Sequence, residues 1–166
     1  MKNKIKKLTK VIVRHLNIRN ASIDDATDIF EWRNDPLSIA MSIKNEEVIF
    51  QEHEKWFFKS LKNRNRELFI GVLDDEKVGI CRFDYDVKDQ ISEVSINLNP
   101  LQRGKGLATK LLLKSIVKYR ENYNVNLKAT IKKTNIASMK IFQKCNFHEI
   151  SSDSDCFFLL NRGNNL

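Results

Sequence analysis

The sequence predicts a single α+β domain, a mixed central sheet of about seven strands flanked by about four helices. Three observations carry that expectation. The length, 166 residues, suits one domain. Gly and Pro together number only 7, and neither a repeat nor a linker interrupts the chain. The apolar pattern changes from a helical period to strict alternation in the middle of the chain, then back again.

Taken in order, residues 11–19 are rich in β-branched and apolar side chains and predict a first strand. Ser22 followed by Asp25 predicts a helix start, and Ala26, Ile29 and Phe30 then give one apolar face. That helix should end near Asn34-Asp35-Pro36, because proline disfavours helix in the residue before it. A second helix is expected over residues 46–61, where Ile49, His53, Trp56, Phe57 and Leu61 recur at helical spacing. Residues 68–73, 78–85 and 91–98 predict three strands, and acidic turns at 74–76 and 88–89 make them an antiparallel meander. From Gly104 to Tyr119 the pattern is helical, with Leu107, Leu111, Leu112, Ile116 and Tyr119 inward and Lys110, Lys114 and Lys118 on a solvated face. A strand at 127–131, a helix at 135–145 and two strands at 147–150 and 156–160 complete the domain.

Composition excludes several function classes. No apolar run approaches the ~20 residues of a membrane span, and no apolar h-region follows the basic start. The net charge of +8 is local: seven cations precede Asp24 with no acid among them, and the last 146 residues carry 22 positive and 21 negative charges. Residues 1–10 are therefore expected as a basic arm on a nearly neutral domain, 11–166, and nucleic acid is not expected as a partner. Cys81, Cys145 and Cys156 are widely spaced, as are His15, His53 and His148. Neither a disulfide framework nor a metal site is expected, and the cytoplasm is the expected compartment.

The stretch that carries chemistry is residues 91–108: a strand, a short loop containing Gly104 and Gly106, and a helix start. Backbone N–H groups in the first helical turn lack internal partners, and the helix dipole favours an anion beside them. Glycines allow a phosphate to approach the backbone closely, and Arg103 and Lys105 add positive charge. The Walker pattern is absent, and Gly104-Lys-Gly106-Leu-Ala-Thr109 lacks the third glycine of a dinucleotide fingerprint. A plain glycine turn that opens a helix is the alternative.

Arg103-x-x-Gly106-x-Ala108, preceded by Asn99-Pro100 and a strand, resembles the acetyl-CoA pyrophosphate loop of the GNAT superfamily of N-acetyltransferases. Asn135-x-x-Ser138-x-x-x-Phe142, followed by Asn146-Phe147, resembles that family's second motif. The resemblance spans residues 16–160 and implies a GNAT-like fold and acetyl-CoA-dependent transfer to a primary amine. It implies that Ile96, Asn97 and Leu98 pair through their backbone with the pantetheine arm. Arg103, Gly104, Lys105, Gly106, Leu107 and Ala108 then match the pyrophosphate cradle, and Asn135 and Phe142 lie near the thioester. A cap on the following helix is a second reading of Asn135. Two departures stand out: Phe142 replaces a tyrosine that protonates the leaving thiolate in many members, and Asn146 replaces a glycine. Asn tolerates the left-handed backbone that a glycine there supplies.

An ammonium must lose a proton before it attacks a thioester, so a base is useful. Glu93, on the strand before the loop, is the candidate catalytic residue; an exposed strand position in the alternation Glu93, Ser95, Asn97 is the alternative. His148 and Glu149 are secondary candidates, and Cys145 and Cys156 are read as packing residues. For the acceptor, Trp32-Arg33-Asn34-Asp35 and Glu52-His53-Glu54-Lys55-Trp56-Phe57 resemble enzymes acting on nucleotide-linked amino sugars, above all the acetyltransferases of the pseudaminic acid pathway. Arg33 and Asn34 would bind phosphate or sugar hydroxyls, and Trp56 would stack on a base. Helix packing for Trp56 and a helix C-cap for Asn34 compete with those roles. Acetylation of protein N-termini, to which Asp35, Glu46, Glu47, Glu52 and Glu54 would suit a basic peptide, and a non-catalytic acetyl-CoA- or RNA-binding module are the alternatives. A monomer or homodimer fits a domain of this size.

Overall fold

Strands β1 (Asn17–Asn20), β2 (Arg66–Leu73), β3 (Glu76–Asp86), β4 (Ile91–Leu98), β5 (Asn126–Lys132), β6 (His148–Ser152) and β7 (Cys156–Asn161) form one sheet. Its order is β1-β2-β3-β4-β5-β7-β6. The computed structural model describes residues 15–163, so the expected basic arm and residues 11–14 of the expected first strand lie outside it. Strands β2 to β4 are the antiparallel meander that the alternation predicts, β1 adds antiparallel to β2, β4 and β5 run parallel, and β7 lies antiparallel between β5 and β6.

The helices are α1 (Ala26–Asn34), α2 (Pro36–Met41), α3 (Phe50–Leu61), α4 (Leu107–Arg120) and α5 (Ile136–Lys144), five among the described residues rather than four. The extra one, α2, begins at the proline that ends α1. Asp35 caps it by accepting from the Ser38 N–H at 3.1 Å, and Pro36 occupies the first helical position, where its missing N–H costs nothing. Helix α3 starts at Phe50 rather than Glu46, since Asn45 takes a left-handed φ of 53° and Val48 is tied to Asn34.

Alternate residues of the meander point to opposite faces. Phe69, Cys81, Phe83 and Val94 pack with Leu112, Ile116 and Phe142 beneath α4 and α5. Leu68, Ile70 and Ile80 pack with Ile29, Trp32 and Phe57 beneath α1 and α3. All five inward positions expected for α4 are buried, whereas Ile49 and Leu61 of the expected α3 stripe are exposed. Tyr119 stacks between Phe83 and Tyr123 at 4.2 and 4.5 Å, and its hydroxyl meets that of Ser92. Gly79 is where the meander closes most tightly: a Cβ there would lie 2.5 Å from the Asn97 carbonyl oxygen.

One buried charge joins β1, α1 and β3. The Asp25 side chain has no exposed surface, receives both ends of the Arg19 guanidinium at 2.7 Å, and takes Lys77 at 2.8 Å and the Ser22 N–H at 2.8 Å. Burial opposes the charge, but Arg19, Lys77 and Ser22 outweigh it and hold the carboxyl well below its usual range. Removing one member of such a group leaves buried charges uncompensated, so Asp25→Asn should cost about 3–5 kcal/mol, read as a lower urea midpoint at neutral pH. Because the folded carboxyl is the more acidic one, its contribution is complete above the unfolded value near ~4 and fades as pH falls below it. The wild type should therefore lose stability on acidification more steeply than the variant.

Candidate active site

Strands β4 and β5 pair over only three positions, Ile91–Asn126, Ser92–Leu127 and Glu93–Lys128. Beyond Glu93 each strand follows its outer neighbour: β4 stays with β3 to Leu98, and β5 stays with β7 to Lys132. The strands therefore part, and the backbone of Ile96, Asn97 and Leu98 is left on an open edge toward β5. Such an edge offers N–H and C=O groups to an extended chain lying in the gap.

Glu93 is the last paired residue of β4 and stands at the apex of this opening. Its Oε1 accepts from the Thr130 hydroxyl at 3.1 Å, and Lys128 Nζ lies 3.7 Å from Oε2. The carboxylate is 40% exposed, so it is oriented by β5 yet reachable from outside. It also lines a cleft of about 340 Å³ with Asp84, Tyr85, Asp86, Val87 and Lys128. His148 and Glu149 lie on β6, with β7 and β5 between them and Glu93, and are not brought to this opening.

The loop after β4 is built by Asn99, whose side chain accepts from the Leu101 N–H and donates to the Lys77 carbonyl. Gly104 and Gly106 have φ of 74° and 70°, the left-handed region that favours glycine. Gly106 is the N-cap of α4 and gives its first N–H groups no side-chain acceptor, and the first turn carries no acid. A Cβ at either glycine would meet nothing within 4 Å, so open space lies beside this helix start. Free donors, a helix dipole and room beside the backbone suit a pyrophosphate. Lys105 reaches back to Gln102 at 3.0 Å. Arg103 points elsewhere: its Nη1 lies 2.6 Å from Asp35 Oδ2, and its Nη2 donates to Ser38 Oγ at 2.8 Å.

Other expected site residues are placed as follows. Asn135 caps α5 through the Ser138 N–H at 3.0 Å. Phe142 is 3% exposed and edge-on to Phe147 at 4.9 Å, so it walls the core and has no proton to give. Asn146 takes the left-handed turn expected of it, with φ 61°.

Two residues expected on the acceptor side have partners within the chain. Both ends of the Asn34 amide are used by Val48, at 2.7 and 2.9 Å, so this side chain fastens the loop before α3 instead of facing a ligand or capping α1. Trp56 lies under the guanidiniums of Arg66 and Arg82, at 5.5 and 5.8 Å, and against the α1–α3 core. A ring already covered by cations is part of a wall rather than a platform for a base. Arg33 sits one turn beyond Ile29 on the inward side of α1. Its Nη1 is buried with no hydrogen-bond partner among the described residues, and burial pulls its pKa down.

Lys128, Thr130, Ser38 and Lys132 are not among the residues that the sequence singles out. The alternation Lys128, Thr130, Lys132 on β5 shows that they share a face, but only the parallel register with β4 brings Lys128 and Thr130 to Glu93.

Geometry of this kind suits acyl transfer from a thioester carried on a phosphorylated arm: an open strand edge, free N–H groups at a helix start, and a carboxylate at the apex of the gap. The family model of the acetyltransferase (GNAT) domain matches residues 15–148, and the chain belongs to that family. It is an acetyl-CoA-dependent N-acetyltransferase. Acetyltransferase PseH proteins from two strains of Campylobacter jejuni are similar, 29% and 27% identical over 133 residues, covering 79% of this chain and 82% of each relative. An N-acetyltransferase from Staphylococcus aureus Mu50 is similar in structure, with TM-score 0.72, 25% identity, and coverage of 89% of this chain and 98% of that one. Spermidine N-acetyltransferase from Vibrio cholerae, solved with CoA and spermine, shares the fold at TM-score 0.76 and 17% identity, covering 88% of this chain and 94% of its own. Among the described residues no helix is long and apolar enough to cross a membrane.

Gly106→Val puts a β-branched residue at a φ of 70°, so the turn should shift its N–H groups off the phosphate. The Kd for acetyl-CoA, measured by calorimetry on folded variant, should rise at least ~10-fold. Glu93→Gln keeps the shape and the Thr130 contact but removes the proton acceptor. Its kcat should fall at least ~10-fold at neutral pH and recover toward high pH, where the amine is already neutral. A flat ratio to wild type across the pH range would return Glu93 to a plain strand position.

Proposed function

We propose that this enzyme acetylates the amine of a nucleotide-linked amino sugar, with Glu93 as the base. The observation that carries the acceptor class is Arg33. An inward guanidinium with a buried, unpartnered Nη1 is costly unless an anion satisfies it, and a nucleotide phosphate on the acceptor supplies one. The similarity to PseH and the resemblance of residues 32–35 and 52–57 to amino-sugar acetyltransferases point the same way. The peptide alternative finds less support. Asp35 is taken by Arg103, and Glu46, Glu47, Glu52 and Glu54 are exposed to water rather than gathered around a pocket.

The chemistry follows from the placement of these groups. Acetyl-CoA supplies an activated acetyl thioester, its phosphates on the N–H groups of the Gly104–Ala108 turn and its arm along residues 96–98. The acceptor enters on the sheet face that carries Glu93, because Ser95 and Asn97 continue that face along β4. Glu93 takes the proton of the ammonium, directly or through water, while Thr130 and Lys128 keep its carboxylate oriented. The neutral nitrogen then bonds to the carbonyl carbon, the C–S bond breaks with its electron pair left on sulfur, and the nitrogen gives up its second proton to water as the amide forms. Phe142 offers no proton, but a thiol with a pKa near ~8.5 leaves readily as thiolate.

The decisive experiment offers acetyl-CoA with nucleotide-linked amino sugars, a basic peptide with a free N-terminus, spermidine and kanamycin, and records thiol release. A nucleotide sugar should give the highest kcat/KM. Arg33→Met should lower it at least ~10-fold for that acceptor while leaving the CoA Kd within about twofold. The peptide as best substrate, or an Arg33→Met enzyme with unchanged kcat/KM, would overturn the assignment.

A further inference from the structure

We infer that Arg103 is a positioning residue of the acceptor side: it braces helix α2 across the opening between β4 and β5, and does not bind the cofactor phosphates. Extending the β4–β5 register past Glu93–Lys128 would set Asn97 opposite Lys132. The strands have parted there, and α2 touches both of these residues instead. Ser38 Oγ lies 3.0 Å from Asn97 Oδ1, and Lys132 Nζ donates to the Ala40 carbonyl at 3.0 Å. A six-residue helix thus spans the mouth of the gap on the Glu93 face.

Arg103 supplies the third attachment. Its two terminal nitrogens engage Asp35 at 2.6 Å and Ser38 at 2.8 Å, which are the N-cap of α2 and the residue whose N–H that cap receives. A guanidinium holds such a fork better than an ammonium, because its donors are fixed in one plane. The Asp35 carboxyl is disfavoured by burial, yet Arg103 and the Ser38 N–H hold it below its ordinary value. Moving Arg103 onto a phosphate would strip Asp35 of its main partner and loosen the cap of a helix too short to stand by itself. Meanwhile the turn at Gly104–Gly106 keeps its free N–H groups and open space without Arg103. The chain therefore divides the labour, with backbone donors and the helix dipole for the phosphates and the arginine fork for α2.

This inference rests on acetyl-CoA use and not on the identity of the amine, so its test uses CoA alone. Three proteins are compared with wild type: Arg103→Gln, Asp35→Asn and the double variant. Calorimetry gives the Kd for CoA, and hydrogen exchange followed by mass spectrometry gives the opening of residues 36–41. All three variants should keep the CoA Kd within about twofold. Exchange in α2 should quicken at least ~10-fold in each single variant. The double variant should exchange more slowly than the two single effects multiplied together would give, since the Arg103–Asp35 link can be lost only once. A CoA Kd raised ~10-fold in Arg103→Gln would make the guanidinium a phosphate ligand and overturn the inference. Unchanged α2 exchange in Arg103→Gln, or additive effects in the double variant, would overturn it as well.

Discussion

The site exists because two adjacent parallel strands are each held more firmly by an outer neighbour than by one another. Strand β4 is paired with β3 along its whole length, and Asn99 then ties its end to Val78 and Lys77. Strand β5 is paired with β7 from Leu127 to Lys132, and the Lys133 N–H continues outward to the Asp155 carbonyl. Sheet twist rotates neighbouring strands relative to one another, and with both ends fixed outward the central ladder opens after three pairs. The candidate site is arranged around that opening: Glu93 at its apex, the glycine turn at its rim, and α2 over its mouth.

The strand, glycine turn and helix start proposed for the cofactor were legible in the sequence because they are local. Residues 91–108 contain the strand, the turn glycines and the helix start in one run, and every inward residue expected of α4 is buried. The left-handed turn at Asn146 was legible for the same reason, since it depends on one residue and its immediate neighbours. Helix α2 was not. Proline marks the end of one helix and the beginning of another with equal force, and only the Asp35 cap chooses between them. The start of α3 was misplaced because Asn34, fourteen residues upstream, holds Val48 out of the helix.

The proposed acceptor side draws on segments that meet only after folding, and residue type alone does not show which side chains are taken up by partners within the chain. Asn34 and Trp56 are side chains that bind sugars and bases in many proteins, yet here they satisfy a loop carbonyl and two arginines. Conversely Thr130 and Lys128 look ordinary on an alternating strand and acquire meaning from their register with Glu93. The same asymmetry runs through the structural relatives, which keep the fold at 13% to 25% identity while their descriptions name acceptors as different as aminoglycosides and spermine.

The two tryptophans of the chain fall in one half of the molecule, Trp32 in the buried face of α1 and Trp56 in α3 beneath Arg66 and Arg82. Indole emission responds to the polarity and charge around the ring, and a guanidinium drawn toward or away from Trp56 changes both. The helix that opens onto the glycine turn carries tyrosine but no indole. The indoles thus lie on the α1–α3 side of the sheet and none lies on α4. Steady-state emission of the unlabelled protein will follow changes around Arg66, Arg82 and the α1–α3 core, and changes confined to α4 will leave it comparatively dark.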